Sequence, residues 1–276
     1  MSKNVIIGMS RTFARAKIEC PGMKKWSCQQ NKMFELVLSK IDWKKGNNPN
    51  VIELYPSDIK EALGWNIDDS NINAMMYQMK QELVQMGKTS WITVSNPYTR
   101  VSISDALIIH VETDGGVIKV GLNPHFMPHF ERLYNMAEDC GITFILFLAN
   151  ELYGFNSKYS LPLLMELRSC GKTGNAINQH ELTTAQLKTL FGMSEEDYTS
   201  FEKKSGKIRF DRSKFERRVL DRAVAEINST NMINLIPDEE GNYYKKVKEN
   251  SHVKKYVFRY QLPYVNFDNE KDKATA

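Results

Sequence analysis

Glu53-Leu54 is followed, four residues on, by Ile59-Lys60-Glu61-Ala62-Leu63-Gly64-Trp65. At the same interval, Glu181-Leu182 is followed by Leu187-Lys188-Thr189-Leu190-Phe191-Gly192-Met193. The stretches start 128 residues apart and share one frame: Glu-Leu, four residues, then apolar-Lys-x-apolar-apolar-Gly-apolar. Each reads as a short helix with a sharp stop. Ser57 or Thr184 can cap it by accepting a backbone N–H bond, its apolar residues share one face, and Gly64 or Gly192 can end it in the left-handed conformation.

The flanks of the two copies run in the same order. Before the first lies a helix with Phe34, Val37, Leu38 and Ile41 at i, i+3, i+4 and i+7; after it comes a helix over about 71–86, then strands around Thr113-Asp114-Gly115-Gly116. Before the second lies a helix over about 157–169; after it comes a long helix over about 213–228, then strands around Asp238-Glu239-Glu240-Gly241-Asn242. Three helices closed by a two-stranded hairpin make a winged-helix domain. The expected fold is therefore α+β, two tandem winged-helix domains in a pseudo-duplicated chain. The expected division is a basic N-terminal arm (1–28), a first winged helix (29–137), a second (138–262) and a disordered tail (263–276).

The third helix of the second copy divides cleanly at 100° per residue. Lys214, Arg217, Arg218, Asp221 and Arg222 fall on one arc, and Phe215, Val219, Leu220, Ala223, Val224 and Ile227 on the other. A DNA-reading helix needs an apolar stripe to seat it and guanidinium forks free for guanine O6 and N7 or for phosphate oxygens. The equivalent helix of the first copy holds Met75, Met76, Tyr77, Met79, Leu83 and Met86 with Lys80 as its base, a composition suited to packing or to an adaptable protein contact. Arg11, Arg15, Lys17, Lys24 and Lys25 of the arm could add phosphate contacts or form a frayed end.

Charge is concentrated in two segments. Lys203, Lys204, Lys207, Arg209, Arg212, Lys214, Arg217, Arg218 and Arg222 face Asp211, Glu216 and Asp221, a net of +6. Lys245, Lys246, Lys248, Lys254, Lys255 and Arg259 face Glu249, a net of +5. The whole chain carries only +4, so the remainder is at −7 and the basic region points to a polyanion partner. The candidate DNA-binding set is the first nine bases together with Lys245, Lys246, Lys254 and Lys255 of the wing, which would touch phosphate.

With these units in hand, the sequence resembles the iteron-binding replication initiators of theta-replicating plasmids, over about 30–262. Three stretches carry the resemblance most strongly: Asn156-Ser157-Lys158-Tyr159-Ser160, the Glu181 to Met193 frame, and Phe215-Glu216-Arg217-Arg218-Val219-Leu220-Asp221-Arg222-Ala223-Val224-Ala225-Glu226-Ile227-Asn228. Lys254-Lys255-Tyr256-Val257-Phe258 resembles the strand that ends the family's second winged helix. The chain departs from the family at Pro162 and Leu164, where a basic residue and a tyrosine are usual, and its N-terminal copy matches weakly. The resemblance implies that the second domain binds repeated duplex origin sites (iterons), while the first supports dimerisation and further DNA contact. It also implies a homodimer in equilibrium with monomer: dimers repress the initiator's own promoter, and monomers open the origin and work with the host initiator and replicative helicase. A repressor using the same domains on an inverted-repeat operator is the alternative, and a protein-interaction scaffold with a merely solvated basic face is a third reading.

Enzymatic readings lack a site. Gly171-Lys172-Thr173 imitates the end of a phosphate-binding loop, yet the motif's first glycine would fall at Glu166. His125 and His129 are four apart but Pro124 and Pro128 oppose a regular helix, and His110, His125, His129, His180 and His252 contain no H-x-H pair that could hold a nicking metal. Glu112 and Asp114 are read as turn residues. Cys20, Cys28, Cys140 and Cys170 contain no C-x-x-C pair and are read as reduced, buried thiols. No catalytic centre, cofactor or metal is expected. The longest apolar run, over 142–149, is far below the roughly 20 residues that span a bilayer, and no secretory signal is readable, so no membrane partner and a cytoplasmic location are expected.

Overall fold

The computed structural model describes residues 5–19, 26–65, 68–89, 91–95, 102–140, 143–202, 207–250 and 252–263. The chain divides into two compact units that meet between Gly154 and Phe155, rather than at the expected 137/138.

In the first unit β1 (Ile6–Ser10) leads through α1 (Arg11–Ala14) to β2 (Lys17–Glu19). α2 (Cys28–Ser39) opens on a capping box: Ser27 Oγ accepts from the Gln30 N–H at 3.1 Å, and Gln30 Oε1 accepts from the Ser27 N–H at 2.9 Å. β3 (Val51–Leu54) feeds α3 (Pro56–Leu63), whose Pro56 occupies the first helical position. The long α4 (Ile72–Thr89) follows, then β4 (Trp91–Ser95), β5 (Ser102–Ala106), β6 (Ile108–Asp114) and β7 (Val117–Leu122). α5 (Leu133–Cys140), β8 (Phe144–Leu148) and α6 (Ala149–Leu152) complete the unit. β3, β7 and β6 form one antiparallel sheet, β2, β4 and β5 a second, and β1 pairs with β8. The pairing of β1 with β8 is why the boundary lies beyond 148.

The stretch expected as a basic N-terminal arm contributes two strands to the unit, with both β1 and β2 hydrogen-bonded into sheets. Ser10 caps α1 by accepting from the Phe13 N–H at 3.1 Å, and its hydroxyl lies 2.8 Å from His129 Nδ1. Burial holds that imidazole down at about 4, so the ring is neutral at neutral pH. Lys24 and Lys25 lie outside the described residues.

The second unit repeats the plan. α7 (Ser160–Cys170) leads to β9 (Gly174–Thr183) and α8 (Thr184–Leu190). A β10 (Thr199–Glu202)/β11 (Lys207–Phe210) hairpin follows, which the sequence reading did not anticipate. Next come α9 (Arg212–Phe215), a π-helical turn (Glu216–Leu220) and α10 (Asp221–Asn228) as one continuous rod. β12 (Asn234–Leu235), β13 (Lys245–Glu249) and β14 (His252–Leu262) finish the fold. β14 is flanked by β9 and β13 and also pairs with β12.

The duplicated frame is structural. Glu53 and Leu54 on β3 sit opposite Lys119 and Ile118 of β7, as Glu181 and Leu182 on β9 sit opposite Val257 and Tyr256 of β14. Gly64 (φ 64°) and Gly192 (φ 60°) stop their helices in the left-handed region. The Trp65 N–H then donates to the Lys60 carbonyl at 3.1 Å, and the Met193 N–H to the Lys188 carbonyl at 2.9 Å. The caps fall earlier than expected. Tyr55 precedes α3, its N–H bonded to Asp58 Oδ2 at 3.0 Å, and Thr183 rather than Thr184 caps α8 by accepting from the Gln186 N–H at 3.2 Å.

A second correction concerns the wing. Asp238 to Asn242 does form a turn, closed by Asp238 N–H to the Asn242 carbonyl at 2.8 Å, but the strands on either side do not pair with each other. The hairpin is β13–β14, turning at Asn250 with φ 48°.

Candidate nucleic-acid interface

The α9–π–α10 rod is seated by its apolar face. Phe215, Val219, Leu220, Ala223 and Ile227 are each 0% exposed, and the Phe215 ring meets Phe210, Tyr198 and Tyr256 at centroid distances of 5.3, 6.0 and 6.4 Å. Asp211 begins the rod by accepting from the Lys214 N–H at 3.0 Å. Arg217, Arg218 and Arg222 are exposed on the opposite side, and no carboxylate engages them among the described residues. Lys214 is half-buried.

The π turn supplies what the sequence did not reveal. At 100° per residue, Glu216 and Asp221 would stand about 140° apart; i→i+5 bonding winds more residues into each turn and narrows that angle. Both carboxylates consequently reach the wing. Glu216 accepts from Tyr256 Oη at 2.9 Å and from Lys246 Nζ at 2.9 Å, and Asp221 accepts from Tyr244 Oη at 2.7 Å. Burial, then the neighbouring carboxylates, raise both tyrosine pKa values, so both phenols remain donors. Asp221 stays exposed, as do the arginines.

The remaining expected bases are distributed unevenly. Lys245 is exposed, Lys254 pairs with Glu249 at 3.3 Å, and Lys255 pairs with Glu181 across β14 and β9. Arg209 is exposed on β11. Arg212 is half-buried and donates to the Val253 carbonyl at 3.5 Å, so it braces the wing strand instead of standing free. Lys203 and Lys204 lie outside the described residues, and Lys207 is placed only as the first residue of β11.

Two of the motifs read from the sequence bond to one another. Glu226 accepts from the Asn156 N–H at 3.2 Å, the Ser157 N–H at 3.0 Å and Ser160 Oγ at 2.6 Å, while Asn228 Oδ1 accepts from the Leu235 N–H at 3.1 Å. The Glu-Ile-Asn ending thus anchors the start of α7 and the entry to β12. Leu164, one of the two departures, is 0% exposed and belongs to the core.

In the first unit the third helix packs as expected: Met75, Met76, Met79, Leu83 and Met86 are all at most 4% exposed. Tyr77 is 66% exposed, and the helix runs on to take in Lys88. Lys80 Nζ donates to Thr113 Oγ1 on the hairpin at 3.2 Å. Glu112 and Asp114 lie on β6 with Lys119 beside them, at 3.8 and 2.7 Å, and His125 faces Asp105 at 3.7 Å.

Cys28 and Cys170 are reduced but half-buried, less enclosed than expected; Cys20 and the Cys140 side chain lie outside the described residues. Among the described residues one cluster could hold a metal, formed by Glu166, Cys170 and His180. Hydrogen bonds that the ring donates to Cys170 and then to Glu166 push the His180 imidazole up to about 9. No described helix is long and apolar enough to cross a membrane.

Comparison with known proteins agrees with this geometry. The family described as "Initiator Replication protein, WH1" matches residues 12–168, and that described as "Initiator Rep protein, WH2" matches 183–260. Among solved structures, the chain is similar to the Pi initiator protein in complex with iteron DNA, with a TM-score of 0.65 and 16% identity over 96% of this chain and 100% of that one. Selenomethionine derivatives of domains 2 and 3 of RctB match with a TM-score of 0.48 and 10% identity, over 92% and 99% of the two chains. No curated protein matches the chain significantly. Two winged helices in tandem, matched over more than half of the chain by the paired domains of one family, make this chain a member of the initiator replication protein family.

Proposed function

We propose that this chain is a plasmid replication initiator that binds repeated duplex sites at its origin without catalysing a reaction. The observation that carries the reading is the arginine triad: Arg217, Arg218 and Arg222 stand exposed and unengaged on the third helix of the second unit, directly opposite its buried face. Guanidinium forks in that position can bind guanine bidentately in the major groove. Lys214, Arg209 and the wing lysines Lys245, Lys246, Lys254 and Lys255 supply phosphate contacts that fix the register. Arg212 orients the wing, and Lys203, Lys204 and Lys207 add their charge to the basic set. Membership of the initiator family and likeness to a fold whose solved example holds iteron DNA support the choice of ligand.

In this reading the first unit, with its methionine-packed third helix, serves dimerisation and accessory DNA contact. The protein exchanges between homodimer and monomer in the cytoplasm. The dimer represses its own promoter; the monomer opens the origin and recruits the host initiator and replicative helicase.

The test is a nuclease footprint of the purified protein on DNA flanking its own gene, at about 150 mM salt, where phosphate-only binding weakens. Protection of several direct repeats is expected. One protected inverted repeat alone would replace the initiator reading with a repressor, and no protection would overturn the DNA reading.

A further inference from the structure

The strongest chemistry outside the basic face lies in the second unit, where helix α7 meets strand β9. Glu166 and Cys170 are four residues apart on α7, one turn above each other on the same face, and His180 projects from β9 to meet them. His180 Nε2 is 2.9 Å from Glu166 Oε1, and Cys170 Sγ is 3.5 Å from that same oxygen. One donor atom from each side chain lies within 4.8 Å of the other two, and all three residues are half-buried.

Once Cys170 and His180 give up their protons to an incoming ion, a thiolate, an imidazole and a carboxylate form a donor set that suits a borderline-soft divalent cation, and poorly suits Mg2+ or Ca2+, which take oxygen ligands. With metal–ligand bonds of about 2.0–2.3 Å, a tetrahedral ion holds its donors roughly 3.3–3.8 Å apart. The separations of 2.9 and 3.5 Å fall just below and within that range, and the Cys170 and His180 donor atoms are within 4.8 Å of each other, so side-chain rotation can adjust all three to an ion. The cluster contains three protein donors within reach, and its partial exposure gives water access to a fourth position.

We propose that Glu166, Cys170 and His180 form a three-ligand site for a divalent transition metal of the Zn2+ class, with its fourth position open to solvent. Such an ion ties helix α7 to strand β9 across the Gly171–Thr173 connection, and β9 is the strand that supports β14 and its wing. Its role is to stiffen the frame beneath the wing, independently of any DNA contact.

Co2+ added to the reduced full-length protein is the probe. A 1:1 complex with a near-ultraviolet thiolate-to-cobalt charge-transfer band and intense visible bands of a tetrahedral ion is expected, displaced by added Zn2+. Cys170→Ser should abolish the charge-transfer band, His180→Gln should weaken binding at least tenfold, and Cys28→Ser should leave both unchanged. Circular dichroism checks that each variant is folded; if Cys170→Ser is not, His180→Gln and Glu166→Gln decide the matter. Absence of a thiolate band at about 1 mM Co2+, or a band that survives loss of Cys170, overturns the site, whatever the footprint shows.

Discussion

Arg218 occupies a position that helical periodicity alone identifies: 100° per residue puts it on the arc opposite Val219, Leu220 and Ile227, and those three are fully buried while it is exposed. Truncating it to alanine should cost about 1–3 kcal/mol of specific binding and relax the preference at one base position, leaving binding to random duplex nearly unchanged. Equal loss on specific and random DNA, in a competition assay, would reassign Arg218 to phosphate. Glu35, by contrast, looks in sequence like an ordinary polar residue of an amphipathic helix, yet it is 3% exposed and its Oε2 finds no hydrogen-bond partner among the described residues. Burial outweighs the pull of Lys32 and pushes its carboxyl up to about 8. The folded state thus keeps the proton longer than the unfolded chain does. The stability this confers is complete below about 4.5 and is lost at about 1.4 kcal/mol per pH unit as the pH climbs towards 8. Glu35→Gln removes that dependence, so its melting temperature should exceed the wild type's by a margin that grows from pH 5 to pH 8; a constant margin would count against the buried proton.

Elements were legible where local chemistry repeats. The Glu-Leu frame revealed both short helices because a left-handed glycine stop and apolar spacing are local properties, while the caps moved by one or two residues because several side chains near a helix start can serve. The wing was misplaced for a different reason. Asp238 to Asn242 has the strongest turn chemistry nearby and does turn, but which strands pair depends on β14, which gathers β9, β12 and β13 along its 11 residues. The π turn was hidden because Glu216 and Asp221 are drawn to one side by Tyr256, Lys246 and Tyr244, residues far along the chain. Glu226 connects elements in a comparable way, holding the start of α7 from the far end of the rod. Glu226→Ala should lower unfolding stability by about 2 kcal/mol or more, since charge-assisted hydrogen bonds are each worth roughly 1.5–3 kcal/mol and are not additive. Glu226→Gln should recover part of it, and an unchanged urea midpoint in the alanine variant would show that solvent replaces these bonds without cost.

At the scale of the whole molecule, duplication and charge segregation were both readable, and the basic surface does gather on one unit of a chain that is otherwise acidic. What linear charge could not convey is that most of the wing's lysines bring their own anions. Lys246 holds Glu216, Lys254 holds Glu249 and Lys255 holds Glu181, the last keeping that carboxyl below its usual range. Binding a phosphate at these positions is an exchange of one anion for another. Each displaced carboxylate then collects a cation from solution and takes back part of what the DNA released, so ion uptake partly cancels ion release. Lysine number therefore overstates the electrostatic appetite of this surface: Glu181→Gln should steepen the salt dependence and raise affinity for random duplex, both measurable by fluorescence anisotropy across a salt series. A lysine tethered to its own carboxylate is already an occupied site, and any duplex must compete with that neighbour before it gains the charge.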